Sequence, residues 1–154
     1  MLGYWDKPEE TAAAMRGGRL HSGDLGRLGE DGYLQLTGRS KELYKSGGEL
    51  VMPKEIEELL SRHPGISQAY AVGVPDDRWG EVGTAFVVLR DDAQLGEPAL
   101  RAHLESQLAR YKVPRYIHFV PDLPVSATGK VRRVELRVRA AEHLSAPPVE
   151  GATP

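Results

Sequence analysis

The sequence predicts an α+β protein: a small mixed sheet flanked by helices, preceded by a hairpin-containing stretch with no core of its own. Three observations carry that expectation. From residue 53 onward helix-like and strand-like patterns alternate, the layout of helices packed on a sheet. Before residue 40 the apolar residues are too few to fill a core, and glycine-rich turns separate short strand-like runs. Between them lies Thr37-Gly38-Arg39-Ser40-Lys41-Glu42-Leu43-Tyr44-Lys45-Ser46-Gly47-Gly48-Glu49, a polar, basic segment closed by a glycine pair. The expected division is 1–40 as the edge of a larger domain, 41–144 as a complete small domain, and 145–154 as a disordered tail of small residues and proline.

The elements follow in order. Pro8 with Glu9 and Glu10 opens a short helix through Met15, since proline and acidic residues suit a first helical turn, and Gly17-Gly18 is expected to end it. Strands are expected over 20–27 and 32–38, joined by the turn Gly29-Glu30-Asp31-Gly32. Pro53 starts a helix whose Ile56, Leu59, Leu60 and His63 fall on one stripe at i, i+3, i+4 and i+7, with Pro64-Gly65 as its stop. Residues 66–74 and 84–89 read as strands, the second more deeply buried. Between them Pro75-Asp76-Asp77-Arg78-Trp79-Gly80 reads as a loop. Pro98 begins a helix with Leu100, Leu104 and Leu108 on one face. A strand over 116–120 and a basic helix over 132–144 complete the chain.

Composition excludes several classes. A net charge of −2 over 154 residues makes no electrostatic case for nucleic acid or an anionic membrane. No apolar run approaches the length of a membrane span, and the amino terminus lacks a signal-peptide layout, so a cytoplasmic location is the default. Cysteine is absent, which removes disulfides, thiol nucleophiles and cysteine metal sites. The five histidines are scattered without ligand spacing, and no metal site is expected.

Three places are able to carry chemistry. In His21-Ser22-Gly23-Asp24-Leu25-Gly26, Asp24 either accepts hydrogen bonds from vicinal sugar hydroxyls or caps backbone N–H groups of a turn. In the central segment, Arg39, Lys41 and Lys45 surround a glycine pair. Gly47-Gly48 either lets the backbone approach a ligand closely or forms a tight turn between two strands. In Pro124-Val125-Ser126-Ala127-Thr128-Gly129-Lys130, small residues precede a lysine just before a helix. That lysine is either presented on a flexible loop to an anionic group or simply solvated. It is no P-loop, because the first glycine of that motif is missing and Val131 replaces its Ser/Thr.

Taken together, the motifs resemble one family. Gly3-Tyr4-Trp5 with Pro8-Glu9-Glu10-Thr11, His21-Ser22-Gly23-Asp24, Asp31-Gly32-Tyr33, Gly38-Arg39-Ser40-Lys41, Gly47-Gly48-Glu49 with Pro53-Lys54-Glu55-Ile56-Glu57, and Pro124 through Lys130 stand in family order. Over residues 3–144 they resemble the carboxy-terminal quarter of an adenylate-forming enzyme of the acyl-CoA synthetase type. The resemblance implies the mobile domain of that fold. Asp24 and Arg39 would bind ATP through its ribose, and Lys130 would be the catalytic residue that stabilises the developing adenylate. Ser46, Gly47, Gly48 and Glu49 would bind CoA, and Lys41 would be the hinge.

It implies ATP with Mg²⁺ and CoA in the full-length enzyme, none of them required by this chain alone. The implied partners are a missing amino-terminal large domain and a carboxylic acid, fatty or aromatic. Exposed strand edges in 1–40 would favour a dimer through that segment. The family's phosphate loop, acyl pocket and magnesium-holding acid would lie upstream, so the isolated chain is expected to be inactive. Arg19 stands where such sequences often carry Trp. Two alternatives are kept: a peptide-synthetase adenylation domain, disfavoured by Lys41 where that branch usually has Asp, and a non-catalytic module that binds a nucleotide or a partner.

Overall fold

The computed structural model describes residues 1–145. It divides into two compact units, Met1–Lys41 and a second from Glu42 onward. In the first, helix α1 (Pro8–Ala14) begins on Pro8 with Glu9 and Glu10 in its first turn. Its amino end is held by Thr11, whose hydroxyl donates to the Lys7 carbonyl at 2.7 Å and accepts the Tyr4 N–H at 2.9 Å. The helix ends at Ala14, one residue short of the expected Met15, so Gly17 and Gly18 lie beyond it and do not stop it. With φ of +59° and +72° they turn a small hairpin, β1 (Met15–Arg16) on β2 (Arg19–Leu20). Two consecutive positive φ values match the twist of a two-residue hairpin, so the single strand expected over 20–27 is interrupted. The chain pairs again only at β3 (Asp24–Leu28), antiparallel to β4 (Leu34–Arg39), with Gly29-Glu30-Asp31-Gly32 turning between them as expected. No residue of this unit is buried, and Trp5, Leu28, Tyr33 and Leu34 are largely exposed.

The second unit is a mixed sheet with helices on both faces. In order it contains β5 (Tyr44–Ser46), β6 (Glu49–Val51), α2 (Pro53–Ser61), β7 (Ile66–Asp76), β8 (Gly80–Leu89), α3 (Glu97–Glu105), a 3₁₀ turn (Arg110–Lys112), β9 (Tyr116–Phe119) and α4 (Arg133–Ser145). Strand β8 is central. It pairs antiparallel with β7 along its length, parallel with β9 over Thr84–Val87, and with β5 at Ser46↔Gly80. The period-2 alternation of strands sorts the side chains into two cores. Ala69, Ala71, Ala85, Val87 and Ile117 pack with Ile56, Leu59 and Leu60 of α2 and with Leu100 and Leu104 of α3. Val72, Val74, Val82 and Phe86 face the other way, against Leu136 and Ala140 of α4. Each fully buried leucine contributes roughly 1.5–3 kcal/mol, so α4 is anchored chiefly by Leu136.

The structure departs from expectation at several boundaries. His63 lies beyond the end of α2 and Leu108 beyond α3; each helix stops once its buried stripe is complete. The six-residue loop over 75–80 contracts to three residues. Asp76 accepts the N–H groups of Arg78 and Trp79 at 3.0 and 2.9 Å, which lets β7 and β8 continue to the hairpin tip. Helix α4 includes Ser145, where the tail was expected to begin; the rest of that expected tail, 146–154, lies outside the described residues. No described helix is long and apolar enough to cross a membrane.

Tyr44 holds the first core together at a cost. Its ring covers Gly73 and Gly83 so closely that a Cβ at either glycine would overlap it. Its hydroxyl, like that of Thr84, is buried without a hydrogen-bond partner among the described residues. Burial, reinforced by the nearby Glu81 carboxylate, pushes the phenol well above its ordinary pKa. Tyr44→Phe keeps the ring and deletes the orphaned donor. It is expected to raise stability by about 1 kcal/mol, read as a higher urea midpoint at unchanged slope. A loss of similar size would show that the hydroxyl has a partner in solution, such as a buried water.

Candidate functional site

Asp24 and Arg39 face each other as the first cross-strand pair of β3 and β4. The guanidinium Nε stands 3.0 Å from the Asp24 carboxylate, and the two side chains are 25% and 61% exposed for Asp24 and Arg39 respectively. The carboxylate meets arginine rather than capping a turn; it is the Ser22 hydroxyl that accepts the Asp24 N–H, at 3.2 Å. A pair this exposed contributes little to stability, at most about 1 kcal/mol. What it does is fix the direction of a carboxylate that stays a quarter exposed. Lys41 is exposed and is the last residue of the first unit.

The glycine pair proves to be a turn between strands. Gly47 and Gly48 have φ of +59° and +90° and close the β5–β6 hairpin, the second of the two readings left open by the sequence. The Gly47 N–H donates to the Trp79 carbonyl at 2.9 Å, which fixes the turn against the β7–β8 hairpin. Beside it lies a groove of about 740 Å³. Ser46, Gly47 and Glu49 form one wall; Gly48 is not among the lining residues.

The other walls carry four arginines and two aromatics, Arg78, Trp79, Arg101, Arg110, Tyr111 and Arg115, beside the Glu105 carboxylate and the apolar Val82 and Val113. Arg101 is itself paired with Glu97 at 2.7 Å. Arg78 lies 5.0 Å over the Trp79 ring. Arg115 pairs with Asp76 at 3.2 Å. The N–H of Trp79 first, then that of Arg78 and the charges of Arg115 and Arg78, hold the Asp76 carboxyl below its usual range. Arg101 braces the far wall by donating to the carbonyls of Pro114 and Arg115 at 2.9 and 3.0 Å. Lys112 clamps the 3₁₀ turn to α2 through both Glu55 oxygens at 2.8 Å, and that bond raises its pKa. Such a groove suits a ligand with several negative charges and a flat ring.

Lys130 sits on an ordered turn rather than a flexible loop. A bridge between Val125 and Val131 closes the base of the turn. The Ser126 N–H donates to the Lys130 carbonyl at 2.8 Å, and the Gly129 N–H to the Ser126 carbonyl at 2.9 Å. Lys130 stands beside the closing bridge, not at the tip, and its side chain is exposed with no ion pair among the described residues. Three residues on, Arg133 enters the body of the unit. Burial opposes its charge, but Glu57 and then Glu42 outweigh that cost and hold the guanidinium above its ordinary pKa.

Residues 55–130 match the family described as the AMP-binding enzyme C-terminal domain. The chain belongs to this family. It is 47% identical over 135 residues to the 2-succinylbenzoate–CoA ligase of Geobacillus kaustophilus, covering 88% of this chain and 28% of that enzyme. The feruloyl-CoA synthase of an Amycolatopsis species is 43% identical over 139 residues, 90% of this chain and 28% of the relative. Among solved structures, ATP-bound MatB from Rhodopseudomonas palustris matches with a TM-score of 0.84 at 38% identity, over 92% of this chain and 28% of that one. The chain thus spans little more than a quarter of the length of these relatives.

Within this AMP-binding C-terminal domain, the two turns singled out from the sequence attach to opposite faces of the sheet. Tyr44 and Val51, which frame the glycine turn, pack in the core with α2 and α3. Leu123 and Val131, which frame the Lys130 turn, pack in the core with α4. Asp24 and Arg39 are brought together in the first unit. The groove arginines were not legible beforehand, because they come from three stretches over 78–115 that only the fold unites. The one available signal was Arg110-Tyr111-Lys112, basic residues interleaved with an aromatic.

Proposed function

We propose that this chain is the carboxy-terminal part of an ATP-dependent acyl-CoA ligase, which converts an acid and ATP to an acyl-adenylate and then forms the CoA thioester. The observation that carries the reading is the basic, aromatic-walled groove opening at the Gly47–Gly48 turn, in a chain whose relatives are CoA ligases. CoA carries several phosphate charges, an adenine ring and a narrow thiol arm. Arginines meet the first, Trp79 and Tyr111 the second, and the bare backbone of a glycine turn leaves room for the third.

In the first half-reaction a carboxylate oxygen attacks the α-phosphorus of ATP and pyrophosphate leaves. The Lys130 ammonium, aimed at the oxygens gaining charge, lowers that barrier. Asp24 accepts the ribose hydroxyls, and Arg39 fixes the carboxylate's direction. In the second, the CoA thiol attacks the acyl carbon and AMP departs. Rotation at Lys41 presents first one turn of the small domain and then the other. Among the described residues no group of His, Asp and Glu could hold a metal ion, so no residue of this chain is assigned to Mg²⁺. The amino-terminal large domain and the acid, fatty or aromatic, complete the proposed system.

The test uses the full-length protein with ATP, CoA and a panel of carboxylic acids. Release of pyrophosphate dependent on one acid, followed by thioester formation, is expected. Pyrophosphate release with no thioester under saturating CoA would instead identify an adenylating enzyme with another acceptor.

A further inference from the structure

Arg133 joins segments that the sequence keeps far apart. Its guanidinium donates to both carboxylate oxygens of Glu57 on α2, at 2.7 and 3.0 Å. It also donates to the Ala71 carbonyl on β7 at 3.0 Å, and its Nε stands 3.1 Å from the Glu42 carboxylate. Glu57 accepts the Ala71 N–H at 3.0 Å as well, so the pair is locked to the sheet from both sides. The Tyr70 ring lies 5.2 Å beneath the cation. With all three guanidinium nitrogens engaged and the side chain only 22% exposed, one orientation is strongly specified.

The location of this clamp matters more than its strength. Arg133 is the first residue of α4, three residues after Lys130. Glu42 is the first residue of the second unit, immediately after Lys41. One side chain therefore ties the point where the chain enters the domain to the element that carries the Lys130 turn. Leu123 and Val131 seat the base of the turn in the core against α4, and the Arg132 N–H to the Pro124 carbonyl at 2.8 Å ties its two arms. The direction in which α4 leaves that base is set by Arg133.

We propose that Arg133 is a positioning residue for adenylation, making the Lys130 turn follow the chain at Lys41 as one rigid piece. This rests on the reading of Lys130 given above. Loosening the clamp lets the ammonium wander relative to the pivot, and a misplacement of about 1 Å is enough to cost ~10²-fold in rate. A merely structural ion pair behaves differently. Its loss lowers the folded population, which slows both half-reactions alike.

The experiment measures single-turnover adenylation, and thioester formation from supplied acyl-adenylate, in the full-length protein. Arg133→Met is expected to slow adenylation ~10–100-fold, with KM for ATP and the thioester step each changed by less than about threefold. Arg133→Lys should recover only part of the loss, because a point charge cannot hold three partners in a plane. Combined with Lys130→Ala, Arg133→Met should cause no further loss, since it acts through the missing ammonium. If Arg133→Met does not fold, Glu42→Gln removes the pivot-side contact alone and should slow adenylation several-fold. Equal slowing of both half-reactions, or losses that multiply in the double variant, would overturn the proposal. Lys130→Ala with undiminished adenylation would remove the reading beneath it, whereas a slow Lys130→Ala beside an unaffected Arg133→Met would remove the clamp alone.

Discussion

Lys130→Ala in the full-length protein is expected to lower adenylate formation by ~10²–10³, the usual loss when one preorganised donor is taken from a site of developing charge. The structure makes this a clean substitution. The side chain is exposed, so alanine strands no buried partner and should change stability by less than about 0.5 kcal/mol. The turn itself survives, because the bonds from Ser126 and Gly129 that close it are made by backbone groups. The Ser126 hydroxyl also accepts the Lys130 N–H at 3.2 Å, a bond alanine retains. Reaction of a supplied acyl-adenylate with CoA should continue at nearly the normal rate, since that step needs no cation at the α-phosphate. Lys130→Arg should fall between, keeping the charge but spreading it over a plane that sits differently. Adenylation unchanged in Lys130→Ala would remove Lys130 from the mechanism.

Much of this was legible because local chemistry dictated it. Pro8, Pro53 and Pro98 each mark a helix start, and the stripe Ile56, Leu59, Leu60 is buried against the sheet as its spacing requires. Strands β7 and β8 were visible as apolar runs. Elements too short to have a period were left open, as with the glycine turn between β5 and β6, or escaped, as with β1 and β2. The three-residue strands β5 and β6 are specified by their pairing and by the Gly47–Gly48 turn, and β1 and β2 by Gly17–Gly18. The site divides the same way. Asp24, Arg39, the glycine pair and Lys130 sit in contiguous motifs and could be named from the sequence. The groove of Arg78, Trp79, Arg101, Arg110, Tyr111 and Arg115, like the Arg133 clamp on Glu42 and Glu57, depends on contacts over tens of residues that no local pattern encodes.

The groove gives the second large effect. In Gly47→Ala, thioester formation from supplied acyl-adenylate should slow ~10-fold, a share of the ~10²-fold penalty that a full ångström of misplacement carries, while adenylation stays within about threefold. Two costs arise together. Alanine at φ +59° carries roughly 1–2 kcal/mol of left-handed strain. Its methyl would also stand 3.0 Å from Trp79 Cε3 and 3.3 Å from Cζ3, tighter than ordinary van der Waals contact. The indole must therefore shift by a few tenths of an ångström, and the indole is a wall of the groove. Gly48→Ala separates the two costs. Its φ of +90° imposes comparable strain, but a Cβ there meets nothing within 4 Å, and Gly48 does not line the groove. It should slow the thioester step less than about threefold. Similar losses from both substitutions would assign the effect to strain in the turn, and a thioester rate untouched by Gly47→Ala would mean that the thiol reaches the adenylate by another path.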